Sequence, residues 1–222
     1  MADLTIVLAN KAYSSWSLRG WLALKATGAA FEEIVIPLKQ PDTRTEILKY
    51  SPSGKLPALI DGEVTVWESL AIIEYLAEKF PKAGLWPADV AARAEARAVA
   101  AEVHAGFLPL RRAMPMAVLR KVRDFPIEDA VRDDINRIQA IWRGARRRFG
   151  AGGPYLFGGF SGADCMFAPV VSRFQTFDVA LEDQAAEYVA TMMAHPSMVE
   201  WIAGAEKEPW FIPDYEPGVD RG

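Results

Sequence analysis

The feature that most constrains this chain is a change of pattern near residue 81. Before it, short β-rich runs alternate with helical stretches; beyond it, strand patterns disappear and helical periodicity alone remains. A chain of this kind is expected to fold as an α/β unit followed by an all-α unit.

The first half can be read element by element. Residues 4 to 9, Leu-Thr-Ile-Val-Leu-Ala, are short and β-branched, which suits a buried strand, and Asn10 to Ser15 form a polar turn. A helix follows with Leu18, Trp21 and Leu22 on one face and Gly28 just past its end. Phe31 to Leu38 predicts a second strand and Thr45 to Tyr50 a short helix. Leu56 to Ile60 and Val64 to Trp67 flank Asp61-Gly62, a dipeptide that accepts positive φ and marks a hairpin. Ser69 to Phe80 is helical, with Ile72, Ile73, Leu76 and Phe80 facing inward. The order is β-α-β-α-β-β-α, a mixed sheet with an antiparallel edge. Lys82 to Pro87 reads as a linker, which sets domains at 1–81 and 88–222.

In the second half, Asp89 to about Arg120 is helical in propensity, with Pro109 and Pro115 expected to kink or interrupt it. Pro126 to Phe149 predicts the next helix. Ser161-Gly162-Ala163-Asp164 places a hydroxyl three residues before a carboxylate, a variant capping box, ahead of an apolar face built from Phe167, Val170, Val171, Phe174 and Phe177. Pro169 inside that helix predicts a bend, and two further helices are expected near 183–194 and 196–206.

Composition narrows the function. A chain of 222 residues with 51% hydrophobic content can fill real cores. Its single cysteine, Cys165, excludes an internal disulfide and any multi-cysteine zinc site, so no metal is expected. A net charge of -4 opposes binding to phosphate backbones. The one basic cluster, Arg143 with Arg146, Arg147 and Arg148, closes a helix whose dipole it complements. No run of eighteen apolar residues and no basic leader with a cleavage site occurs. The expectation is a cytoplasmic protein with neither nucleic acid nor membrane as partner.

Three segments, taken in order, resemble the glutathione transferase superfamily: Ser53-Gly54-Lys55-Leu56-Pro57-Ala58-Leu59, then Trp67-Glu68-Ser69 running through Leu76, then Ser161 to Asp164. The resemblance implies a thioredoxin-like N-terminal domain, an all-helical second domain and a homodimer. It further implies that Lys55, Leu56 and a cis Pro57 receive glutathione as an edge strand receives an extended peptide. Glu68 would hold the ammonium of the γ-glutamyl group, and Ser69 with free helix N–H groups its carboxylate. Read from the residues alone, Glu68 and Ser69 also make an ordinary helix start. The Asp164 box implies structure, not catalysis.

Tyr13-Ser14-Ser15-Trp16-Ser17-Leu18-Arg19 is similar to the serine-type entry of zeta-class and related bacterial transferases. Position by position, Ser14 matches the catalytic serine, Ser15 its neighbour and Arg19 the helix arginine. Trp16 stands where that motif has cysteine, a departure that weakens transfer of maleylacetoacetate isomerase activity. The resemblance implies glutathione as cofactor-like nucleophile, its thiolate stabilised by Ser14, with Ser15 as competing donor, and a small hydrophobic electrophile. Alternatives are a glutathione-dependent isomerase or a non-catalytic binding or stress protein on the same fold. Family topology makes Tyr13, His104, Phe107, Met114, Met116 and Trp210 candidates for lining the second-substrate pocket. Ser14 as a plain helix cap is the other reading of the motif.

Overall fold

The computed structural model describes residues 4–216. Strands β1 (Leu4–Leu8), β2 (Phe31–Val35), β3 (Ala58–Asp61) and β4 (Val64–Trp67) form one sheet in the order β2-β1-β3-β4. β1 pairs parallel with β2 and antiparallel with β3, and β3 pairs antiparallel with β4. Helix α1 (Ser15–Ala26) makes the parallel crossover between β1 and β2. Short α2 (Thr43–Leu48) precedes the hairpin, where Gly62 takes φ 58. Helix α3 (Ser69–Lys79) closes the unit.

Among the described residues six α-helices follow: α4 (Val90–Ala105), α5 (Leu108–Ala113), α6 (Asp129–Phe149), α7 (Gly162–Thr176), α8 (Asp183–Met193) and α9 (Pro196–Ala205). The fold is thus thioredoxin-like with an added helical layer. The helical stretch from Asp89 is interrupted as expected, with the first break ahead of both prolines. It stops at Ala105, and Pro109 lies in the first turn of α5, where a missing N–H costs nothing. Pro115 then drives Met114 out of the helical region, to φ -119 and ψ 79, and α5 ends there. Helix α7 stays helical from Gly162 to Thr176 across Pro169.

One continuous apolar core runs through both halves, with Trp21, Trp142 and Trp201 fully buried in it. Its central contact is α1 against α7 and α3. At the joint, the Gly162 N–H donates to the Leu85 carbonyl at 2.7 Å. A Cβ at Gly162 would lie 2.8 Å from Ile73 Cγ2, so only glycine lets α7 approach α3 this closely. Ser161 and Asp164 complete the capping box, and Asp164 also accepts from Tyr188 at 2.9 Å.

Candidate functional site

The carboxyl end of β1, the start of α1, the loop before β3 and the start of α3 converge on a cleft of about 470 Å³. Its walls include Ser14 and Trp16 on one side and Lys55, Leu56 and Pro57 on another. Glu68, Ser69 and His104 close the third side, while Ala9 and Leu38 complete the lining. Ser15, the first residue of α1, is not part of this lining.

The Leu56–Pro57 peptide is cis. Neither the N–H nor the carbonyl of Leu56 finds a hydrogen-bond partner among the described residues. A peptide lying along this loop therefore meets one free donor and one free acceptor. Gly20 on α1 makes the arrangement possible, since a Cβ there would sit 3.2 Å from Pro57 Cγ.

Glu68 adopts φ 70 and ψ 124, a left-handed region that normally favours glycine, and caps α3 without using its side chain. The turn leaves its carboxylate exposed, with 45% of the side chain accessible, and no side chain caps the first N–H groups of α3. Ser69 is fully buried, yet its hydroxyl has no partner among the described residues. An unpaired hydroxyl in a cleft wall, at a helix N-terminus, suits a carboxylate ligand.

Ser14 is the N-cap of α1, extended at φ -86 and ψ 94. Its Oγ accepts the Ser17 N–H at 3.2 Å and its O–H donates to Ser17 Oγ at 2.8 Å. Ser17 Oγ also accepts the Ala9 N–H at 2.9 Å. The loop before Ser14 is tied to the C-terminal segment. Glu208 accepts the N–H groups of Lys11 and Ala12 at 2.7 and 3.2 Å, and Trp201 Nε1 donates to the Lys11 carbonyl at 2.9 Å.

Trp16 lines the cleft and has two cations and an imidazole around its ring. The Arg19 and Arg111 guanidinium carbons lie 4.6 and 4.9 Å from its centroid, and His104 meets it edge-on at 5.2 Å. Arg19 is buried and donates to the carbonyls of Met166 at 3.0 Å and Val103 at 3.4 Å, bracing α1 against α7 and α4. His104 Nε2 is 3.7 Å from a Glu68 oxygen, too far for a hydrogen bond. Burial, with Arg19 and Arg111 nearby, holds the His104 pKa below its ordinary value against the opposing pull of Glu68.

Of the second-pocket candidates, His104 lines this cleft. Tyr13 and Trp210 line a separate one of about 280 Å³, and Phe107, Met114 and Met116 are buried in the core. Sequence reasoning passed over Ala9, Leu38 and Ser17. Ser17 had a signal, its three-residue spacing from Ser14 at a helix start, whereas Ala9 and Leu38 contribute by position alone.

Comparison with known proteins follows the same lines. The family model for the glutathione S-transferase N-terminal domain matches residues 13–79, and that for the C-terminal domain matches 128–204. A Pseudomonas aeruginosa maleylacetoacetate isomerase is 32% identical over 203 residues, covering 83% of this chain and 92% of that protein. A probable maleylacetoacetate isomerase of Caenorhabditis elegans is 37% identical over 48% of this chain, and the match spans only 49% of that relative's length. A zeta-class glutathione S-transferase of Euphorbia esula is 41% identical over 35% of each protein. The fold matches a Burkholderia glutathione transferase homologue, solved with bound glutathione, at TM-score 0.70 and 24% identity over 92% of this chain and 99% of that one. With both halves of the chain and their order accounted for, this protein belongs to the glutathione S-transferase family.

Proposed function

We propose that this protein is a glutathione transferase that joins the glutathione thiolate to a small hydrophobic electrophile. Residues 1–81 serve as the glutathione-binding domain and 88–222 as the substrate domain. The observation that carries the reading is the convergence on one cleft of Ser14, the unpaired Leu56 backbone, Glu68 and the unpartnered buried hydroxyl of Ser69. Glutathione has the matching parts: a peptide backbone for Leu56, an ammonium for Glu68, a carboxylate for Ser69 with the α3 N–H groups, and a thiol toward Ser14. Lys55, exposed at the rim, suits its remaining carboxylate.

An ordinary thiol, with a pKa of about 8.5, is only a few per cent ionised at neutral pH. Donation from Ser14 at the positive end of α1 lowers that pKa and supplies the nucleophile. Tyr13, the other hydroxyl on this loop, is committed elsewhere: it donates to Glu216, and burial followed by that bond pushes its pKa up to about 12. Ser15 remains the competing donor. Calorimetry with glutathione, then turnover across an electrophile panel with and without it, tests the reading. Absence of glutathione binding overturns it.

A relative that spans 83% of this chain favours a second reading, glutathione-dependent cis-trans isomerisation, since that Pseudomonas aeruginosa protein is a maleylacetoacetate isomerase. Trp16 at the motif's cysteine position speaks against it. We also propose a cytoplasmic homodimer. No helix among the described residues is long and apolar enough to cross a membrane. Val64 and Trp67 on the edge strand β4 and Val90 at the start of α4 expose apolar surface that a second copy would cover. Light scattering at micromolar concentration tests the dimer, and a mass of 24.5 kDa would refute it.

A further inference from the structure

We propose that Ser17 is a positioning residue for the thiolate: its hydroxyl orients Ser14 and takes over the contact that Ser14 gives up when it turns toward the sulfur. The proposal rests on the reading of Ser14 as the group that stabilises a bound thiolate.

Ser17 is fully buried, in the first turn of α1, and does not line the cleft. It is bonded on both sides to groups that do. Its Oγ accepts the Ala9 N–H at 2.9 Å and the Ser14 O–H at 2.8 Å, and its N–H donates to Ser14 Oγ at 3.2 Å. Each hydroxyl has one proton to give. In this arrangement Ser14 spends its proton on Ser17, and the Ser17 proton has no acceptor among the described residues. A helix cap needs only Ser14 Oγ and the Ser17 N–H. The second hydroxyl is extra to capping.

A thiolate in the cleft offers Ser14 a charged acceptor, which forms the stronger bond. The Ser14 O–H then rotates to the sulfur and the Ser17 O–H rotates into the space between the two oxygens. No covalent bond forms or breaks. In the new arrangement Ser14 Oγ accepts both the N–H and the O–H of Ser17 while donating to sulfur, and each bond in such a chain polarises the next. The Ala9 N–H anchors the Ser17 oxygen in both arrangements.

The structural alternative is that Ser17 serves only the Ala9 N–H. Thiolate absorbance of bound glutathione separates the two, titrated in wild type, Ser17→Ala, Ser17→Cys, Ser14→Ala and the Ser14→Ala/Ser17→Ala double variant, with melting temperatures alongside. We expect Ser17→Ala to raise the titration midpoint by about one pH unit, a roughly tenfold lower thiolate-to-thiol ratio at a given pH, with affinity for the protonated thiol, measured below the midpoint, unchanged. Ser17→Cys, isosteric but a weaker donor, moves the midpoint the same way and covers the case in which the alanine variant does not fold. In the Ser14→Ala background, removing Ser17 adds no further shift. A wild-type midpoint in both Ser17 variants overturns the proposal, as does a full Ser17 shift that persists without Ser14. Failure of the underlying reading looks different: wild type then binds no glutathione, or Ser14→Ala alone titrates as wild type, and the proposal falls with it.

Discussion

Tyr13 donates its hydroxyl to the buried carboxylate of Glu216, 203 residues away, and Arg120 pairs with the same carboxylate. The C-terminal segment is thereby fastened to the loop that carries Ser14. The bond has a second effect, because it removes Tyr13 as a rival thiolate donor. We expect Tyr13→Phe to lower stability by about 1 kcal/mol, since Arg120 still pairs Glu216, and to leave the bound thiol's titration unchanged. A raised midpoint in Tyr13→Phe would assign thiolate activation to the tyrosine.

Glu68 combines a strained backbone with an exposed charge, and two substitutions separate them. Glycine relieves a left-handed conformation that costs a non-glycine residue about 1 to 2 kcal/mol; alanine does not. Both remove the carboxylate proposed to hold the ligand's ammonium, a charge-assisted bond worth about 1.5 to 3 kcal/mol, or roughly tenfold to over a hundredfold in affinity. Glu68→Gly should therefore melt above Glu68→Ala while both bind glutathione equally poorly. Equal melting temperatures would show that the turn carries no strain, and wild-type affinity in either variant would remove Glu68 from the site.

These residues also mark how far the sequence could be read. The element order, the Asp61-Gly62 hairpin and the Ser161 to Asp164 box were legible because each is set by local chemistry: periodicity, positive φ and capping. Ser14, Leu56, Pro57, Glu68 and Ser69 were legible as motif positions. Their convergence was not, since it depends on α1 lying against the Pro57 loop at Gly20. The interruption of the helix from Asp89 was legible from Pro109 and Pro115, but its first break, after Ala105, was not, because it is set by Gly106 and a left-handed Phe107 while the alanine-rich stretch before them favours helix throughout. The ties from Glu208 and Glu216 to residues 11–13 lay beyond sequence reasoning, as nothing local links positions nearly two hundred residues apart.

Glu208 gives those ties an energetic test. Its two oxygens satisfy the Lys11 and Ala12 N–H groups, which would otherwise be left half-buried and unpaired. Glu208→Ala should cost about 1 to 3 kcal/mol for each N–H left unpaired, whereas glutamine keeps one acceptor and costs roughly half as much. Thermal denaturation of the two variants checks the ordering. Equal stability in wild type and Glu208→Ala would mean that water replaces the carboxylate at no cost.

The last prediction concerns pH and His104. Its imidazole is partly buried, Nδ1 has no partner among the described residues, and Arg19 and Arg111 lie close, so its folded pKa is below the unfolded value. Folding therefore favours the neutral ring. The stability this contributes is complete above the unfolded pKa of about 6.5 and is lost as pH falls through the depressed folded value. The same titration reaches the cleft, because protonation places a cation 3.7 Å from the Glu68 carboxylate. That cation competes with the ammonium of glutathione for Glu68. Affinity for S-methylglutathione, whose sulfur cannot ionise, should thus hold level above about pH 7 and weaken on acidification, with His104→Gln flattening the acid limb of both the affinity profile and the melting curve. Arg19 and Arg111 stay charged throughout this range and contribute no slope of their own. Calorimetry from about pH 8 to pH 5 on wild type and His104→Gln decides the matter. If the variant keeps the full acid limb, Glu68 or the ligand itself is titrating, and His104 is only a packing partner of Trp16.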